Sequence, residues 1–216
     1  PERLSNGICS LTPHVERLCM VADLALDATG RPLNEEIYPA VMNSKARCTY
    51  TQVAKLLDGQ PVPELAHVSS MLAQAGELAG RMTKFRMRRG AIDFDIRESH
   101  VVLDKDGAPA AIVRRARNPA HRLVEEFMLA ANEAVARYFE ARDLPTVFRI
   151  HAHPDEKKLQ EFRQLARLYG HDVKSDDAGK VSAAELNAFL QRIEGRPEQR
   201  ALNQLLLRSM MRAVYS

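Results

Sequence analysis

Leu123-Val124-Glu125-Glu126-Phe127-Met128-Leu129-Ala130-Ala131-Asn132 lies inside a run, Asn118 to Arg142, that reads as one long amphipathic helix opened by Asn118-Pro119. At ~100° per residue, Leu123, Val124, Phe127, Met128, Ala130, Ala131, Ala134, Val135, Tyr138 and Phe139 form a broad apolar arc. Arg122, Glu126, Glu133 and Arg137 group on the opposite side, which is expected to face water. Glu125 and Asn132 are nearly eclipsed at the edge of the arc. A half-buried carboxylate beside an amide suits a sugar hydroxyl or a water. The plainer alternative is a boundary glutamate satisfied by backbone or by a neighbouring arginine.

Working outward, the second signal is cationic. Arg81, Lys84 and Arg88 share the polar face of a helix predicted over Glu64 to Arg88, and Arg86 and Arg89 crowd its end. Phe85 and Phe94 lie within and just beyond this basic stretch; Arg114, Arg115, Arg117 and Arg122 form a second cluster. Basic groups neutralise phosphates and aromatic faces stack bases, the pairing that single-stranded nucleic acid needs. A charge run can also be nothing more than a solvated helix face.

Around these helices the pattern is mixed. Val15 to Leu26 alternates, with Leu18, Met20, Ala22, Leu24 and Leu26 on one strand face, and Leu33 to Met42 returns after the turn at Asp27–Gly30. Thr49 is placed to cap a short helix carrying Val53, Leu56 and Leu57. On the long helix, Val68, Met71, Leu72, Ala75, Leu78, Ala79 and Met82 make the expected buried stripe. A hairpin follows, His100–Leu103 and Ala110–Arg115 joined at Asp104–Gly107. Beyond the central helix come a short strand over Thr146–His151, a helix from Pro154 to Gly170, another over Ala183–Ile193, and a final apolar helix from Leu202 to Ser216. The fold class implied is α+β, a mixed or antiparallel sheet packed with long helices. The first residue is proline and the last helical pattern has no stop signal, so the sequence is expected to be a fragment cut at both ends.

Composition narrows the options. At 45% hydrophobic and 27% charged the 216 residues are those of a globular protein, and the net charge of +3 is too mild to argue polyanion binding by itself. No apolar run approaches a membrane span and there is no signal-peptide pattern. Cys9, Cys19 and Cys48 have neither disulfide nor metal-ligand spacing, which fits a reducing cytoplasm. His151 and His153 share a strand face but lack a third ligand. Lys174 to Glu185 mimics a calcium loop, with Lys174 and Ala178 where oxygen ligands are needed. A calcium-responsive protein is thus the weakest reading. Phosphate loops and nucleophile elbows are absent from the sequence.

Taken in order, several segments resemble one family. Pro1-Glu2-Arg3-Leu4-Ser5-Asn6-Gly7-Ile8-Cys9-Ser10-Leu11, Ser44-Lys45-Ala46-Arg47-Cys48-Thr49-Tyr50-Thr51-Gln52-Val53, Arg88-Arg89-Gly90-Ala91-Ile92-Asp93-Phe94, Leu123 to Asn132, Phe148-Arg149-Ile150-His151 and Leu206-Leu207-Arg208-Ser209-Met210 are similar to stretches of RNB-type exoribonucleases, the ribonuclease II/ribonuclease R family. The first leans to the ribonuclease R branch. The resemblance implies part of an RNB catalytic domain across residues 1–216 and a processive 3′-to-5′ exoribonuclease. Such an enzyme hydrolyses single-stranded RNA to nucleoside monophosphates with magnesium. It also implies roles: Tyr50 against the terminal nucleotides and the scissile region, Phe94 stacked on the 3′-terminal base, and Glu125 beside the terminal ribose. Lys45, Arg47, Arg88, Arg89 and Arg149 would line the RNA path.

The family's metal-binding aspartates lie upstream of the PERLSNG stretch, and its HFTSPIRRY segment lies downstream of LLRSM. Neither occurs in these residues. Asp93, Asp95, Asp104 and Asp106 are poorly placed to substitute. The expectation is therefore magnesium in the full-length enzyme, none in this fragment, and a fragment inactive alone. Single-stranded RNA is the implied partner, with no membrane and no obligate protein partner. The alternative is a non-catalytic RNA-binding remnant of the same fold.

Overall fold

A computed structural model of the chain describes residues 1–92, 98–115, 117–176 and 179–216, with backbone alone at 98–100 and 114–115. Two compact units emerge: Pro1–Phe85 with Ala116–Leu144, and Arg86–Arg115 with Pro145–Ser216. The architecture is α+β, small antiparallel strand pairs set among longer helices.

In the first unit, β1 (Glu16–Leu26) and β2 (Pro32–Asn43) pair antiparallel from Glu16 opposite Asn43 to Leu26 opposite Pro32. The Asp27 carboxylate organises their turn, accepting from the Thr29 and Arg31 amides and from the Thr29 hydroxyl at 2.7 Å. That hydroxyl is the main reason its pKa lies below the ordinary carboxylate value. Gly30 closes the turn at φ +84°, and a Cβ there would stand 2.7 Å from the Arg81 carbonyl carbon, so only glycine fits. Helix α1 (Tyr50–Leu57) opens on a reciprocal capping box between Thr49 and Gln52. A 3-10 turn over Pro63–Val68 precedes α2 (Ser69–Arg88), so the helix expected from Glu64 begins as a tighter turn with proline at its first position. Leu72, Ala79 and Met82 are buried on α2, but Met71 is exposed.

Helix α3 (Pro119–Glu140) confirms the element and corrects its orientation. Val124, Phe127, Met128 and Val135 are exposed, while Ala134 and Glu126 are buried. The expected wet side is also used: Arg137 donates through Nε and Nη2 to Glu35 on β2, at 3.0 and 2.6 Å. The helix packs on α1, β1 and β2 along one edge of its arc, where small alanines allow close approach and a charged pair completes the contact. Its Ala120 joins Val53, Leu65 and Leu72 in a small core. On β1, Leu18 and Met20 are likewise exposed, and Arg17, Cys19 and Val21 are the half-buried set. The expected face is restored only from Ala22 through Leu24 to Leu26. Among the described strands β1 and β2 pair only with each other, so alternation alone does not say which face is covered.

The second unit contains the expected hairpin, β3 (Glu98–Leu103) with β4 (Pro109–Arg115), its turn fastened by Asp104 Oδ1 on the Asp106 and Ala108 amides. Helices α4 (Glu156–Leu168), α5 (Ala183–Arg192) and α6 (Gln199–Ser209) enclose its main core. Asp155 and Ser182 cap the first two, and Gly170 at φ +79° ends α4. Phe162 and Phe189 meet edge to face at 5.2 Å. The final helix stops at Ser209 rather than running to Ser216. Met210 turns extended, and β6 (Val214–Tyr215) pairs with β5 (Arg149–Ile150). Reciprocal backbone bonds of 2.9 Å between Phe148 and Ser216 extend that ladder, satisfying a chain end that helical periodicity alone assigns to α6.

Candidate nucleic-acid interface

The predicted site residues fall in both units. In the first, β2 delivers the chain into the loop Ser44–Cys48, which leads to the Thr49 cap and so to Tyr50, the first residue of α1. Asn118 caps α3 in the same manner, its Oδ1 accepting from the His121 amide at 3.1 Å. The two helix starts meet. Asn118 Nδ2 donates to the Tyr50 carbonyl at 3.4 Å, and the Tyr50 and His121 rings stack at 4.0 Å with planes 8° apart. Tyr50 remains 45% exposed, so a ring pinned from one side keeps aromatic surface for a ligand. Two helix N-termini at one place also favour anions such as phosphate.

Glu125 stands farther along α3, half-exposed, and Arg117 Nη2 donates to its Oε2 at 2.5 Å. The arginine-satisfied boundary carboxylate is thus realised, although an ion pair this open to water is weak enough to be exchanged for a ligand. Asn132 is exposed and takes no described part beside Glu125. Lys45 is exposed, with Nζ 3.3 Å from Asn43 Oδ1 and its carbonyl 3.1 Å from His67 Nε2; Arg47 is exposed on the same loop. Tyr50, Lys45, Arg47 and Glu125 therefore belong to one unit.

Arg88, Arg89 and Arg149 belong to the other. Arg88 and Arg89 are exposed at the end of α2, and Arg149 is exposed on β5. Arg81, from the same basic stretch, faces Glu77 one turn back at 3.9 Å. Phe94, with Asp93 and Asp95, lies outside the described residues.

Sequence reasoning missed two residues, Asn118 as more than a cap and His121, and it read Arg117 only as one of a basic cluster. The spacing of Asn118 and His121 signals a helix start, but nothing local puts position 121 beside position 50.

The resemblance implies magnesium, which needs a group of oxygen donors converging on one point. Among the described residues, no three His, Cys, Asp or Glu side chains are grouped to hold a metal ion. Asp104 is committed to its turn, and Glu185 to the Lys174 amide and Arg192. Burial pushes the Glu185 carboxyl up, and those partners more than offset it, leaving its pKa below the ordinary value. These donors do not fit the ion.

The RNB domain profile matches residues 1–216, the whole chain. The chain belongs to the RNB domain family. Ribonuclease R 1 of Lactococcus lactis is 38% identical over 218 residues, covering 100% of this chain and 27% of that protein. Among solved structures, the apo form of Mycoplasma genitalium RNase R superposes with a TM-score of 0.94 at 29% identity, over 100% of this chain and 34% of the other. The same enzyme in complex with ribose-methylated single-stranded RNA gives the same TM-score, identity and coverage. The chain thus spans between a quarter and about a third of the length of these RNB relatives.

Proposed function

We propose that this RNB domain is the substrate-contacting part of a magnesium-dependent, processive 3′-to-5′ exoribonuclease acting on single-stranded RNA in the cytoplasm and releasing nucleoside monophosphates. The observation that carries the reading is Tyr50, braced at the joined starts of α1 and α3 with 45% of its surface open, in a chain that is RNB domain throughout. The relative solved with single-stranded RNA supports the substrate class.

In this reading Tyr50 lies against the terminal nucleotides, Phe94 stacks on the last base and Glu125 accepts from the terminal ribose hydroxyls after exchanging Arg117. Lys45, Arg47, Arg88, Arg89 and Arg149 offset phosphate charge along the strand. Magnesium, held in the full-length enzyme by residues outside the described donors, would supply Lewis-acid activation of water and charge stabilisation there. The resemblance puts its ligands upstream of this sequence, and in this reading the 216 residues alone bind RNA without cleaving it.

The test is to incubate the full-length protein with magnesium and a 5′-labelled single-stranded oligoribonucleotide, then follow the products. Stepwise shortening from the 3′ end with mononucleotide release is expected, and Glu125→Gln or Tyr50→Ala should slow it. Internal cuts would refute the exonuclease reading. Tight binding without any product would favour the non-catalytic remnant.

A further inference from the structure

We infer that His121 is a positioning residue for Tyr50, holding the ring in the attitude in which it receives RNA. This rests on the assignment of Tyr50 to the RNA contact made above.

The starting point is the exposure of Tyr50. A tyrosine at the first turn of an eight-residue helix, 45% exposed, has little protein around it to choose its rotamer. Ordering such a side chain only when RNA arrives would weaken binding, because lost rotamer freedom is charged against the complex. Here the ring is ordered beforehand. The His121 imidazole covers one face at 4.0 Å and 8°, a parallel stack rather than an incidental edge contact.

His121 is itself held. Asn118 Oδ1 accepts from the His121 amide at 3.1 Å, while Asn118 Nδ2 donates to the Tyr50 carbonyl at 3.4 Å. Those two bonds fix which end of the amide is oxygen. His121 Nδ1 lies 2.7 Å from that oxygen and 3.4 Å from the Asn118 backbone nitrogen, so one asparagine meets the imidazole through both side chain and main chain. The plane of the imidazole follows from one asparagine. Asn118 caps α3, grips the Tyr50 backbone and orients the imidazole, which in turn orients the phenol. Neither Asn118 nor His121 need touch RNA for this to work.

The test uses full-length protein and a single-stranded oligoribonucleotide, with KM and kcat measured separately. Tyr50→Ala sets the scale, and a rise in KM of roughly tenfold is expected for one lost stacking partner. His121→Ala should reproduce most of that rise with a smaller change in kcat. His121→Phe, which keeps a flat ring but not the Nδ1 contacts with Asn118, should recover most of it. The double variant Tyr50→Ala/His121→Ala should be no worse than Tyr50→Ala. With 3-fluorotyrosine replacing tyrosine, the fluorine resonance missing from Tyr50→Phe should move in His121→Ala, return toward its place in His121→Phe, and leave the other tyrosines unmoved.

A silent Tyr50→Ala removes the RNA contact and this inference with it. A full Tyr50→Ala defect with a silent His121→Ala, additive losses in the double variant, or a Tyr50 resonance indifferent to His121 overturns the positioning role while leaving the RNA contact standing.

Discussion

In the second unit Phe162, Phe189, Leu186, Ile193, Leu202 and Leu206 are enclosed by α4, α5 and α6, whereas in the first unit α3 leaves Val124, Phe127, Met128 and Val135 in the open. The three helices come from one short stretch of chain and each turns an apolar face to the others, so the core closes locally. The first unit joins segments far apart in sequence, and its contacts rely on alanines, capping boxes and the Arg137–Glu35 pair. Its own core is small, centred on Val53, Leu65, Leu72 and Ala120. The unit that encloses less is the one that carries Tyr50 and Glu125. On the proposed function this follows, since a surface that receives a polymer cannot also be packed away.

The sharpest way to break this contrast is a pair of truncations. Phe189→Ala should cost about 3–5 kcal/mol by denaturant unfolding, because it empties a fully enclosed site. The partner variant, Phe127→Ala, should lie at the bottom of the scale, within ~0.5 kcal/mol for an exposed position. Equal losses would mean that the α3 arc is covered in solution.

Next in size is Gly30→Ala. The left-handed backbone alone costs about 1–3 kcal/mol, and the clash with the Arg81 carbonyl adds to it. Hydrogen exchange should show that loss in β1, β2 and α2, leaving α4 to α6 protected. Thr49→Ala should cost ~1 kcal/mol and selectively weaken protection in α1.

Acid reaches both units, through Asp27 in the first and two glutamates in the second. In the second unit Glu198 is lowered chiefly by its bond from His171, at 2.7 Å, and Glu185 is lowered by its partners despite burial. A carboxyl with a lowered folded pKa contributes stability above its unfolded value, ~4.3, which is lost as pH falls through the folded one. Unfolding of this unit should therefore become easier below about pH 4.5, and Glu198→Gln should flatten that slope. An unchanged slope would show that the His171–Glu198 pair contributes nothing in solution.

Much of this was legible beforehand. Thr49 and Asn118 were readable as caps, Asp104–Gly107 as a hairpin turn and Gly170 as a stop, because each acts on atoms only a few residues away. The family was legible too, since six short segments keep their order along the chain. The burial of Glu126 and the exposure of Leu18 and Met20 were not legible, nor was the end of α6 at Ser209. A period says which residues share a face but not which face finds a partner.

The candidate site divides along the same line. The sequence by itself determined the residue types, an aromatic after a cap, a carboxylate on an amphipathic helix and clustered arginines, and it determined the local elements that present them. Only the tertiary structure decided that His121 stacks on Tyr50, that Asn118 grips both, and that Arg117 occupies Glu125. Caps and turns follow from hydrogen bonds closed within a few residues. The Tyr50–His121 contact joins residues far apart in sequence, and it exists because burial of Val53 and Ala120 brings α1 and α3 together.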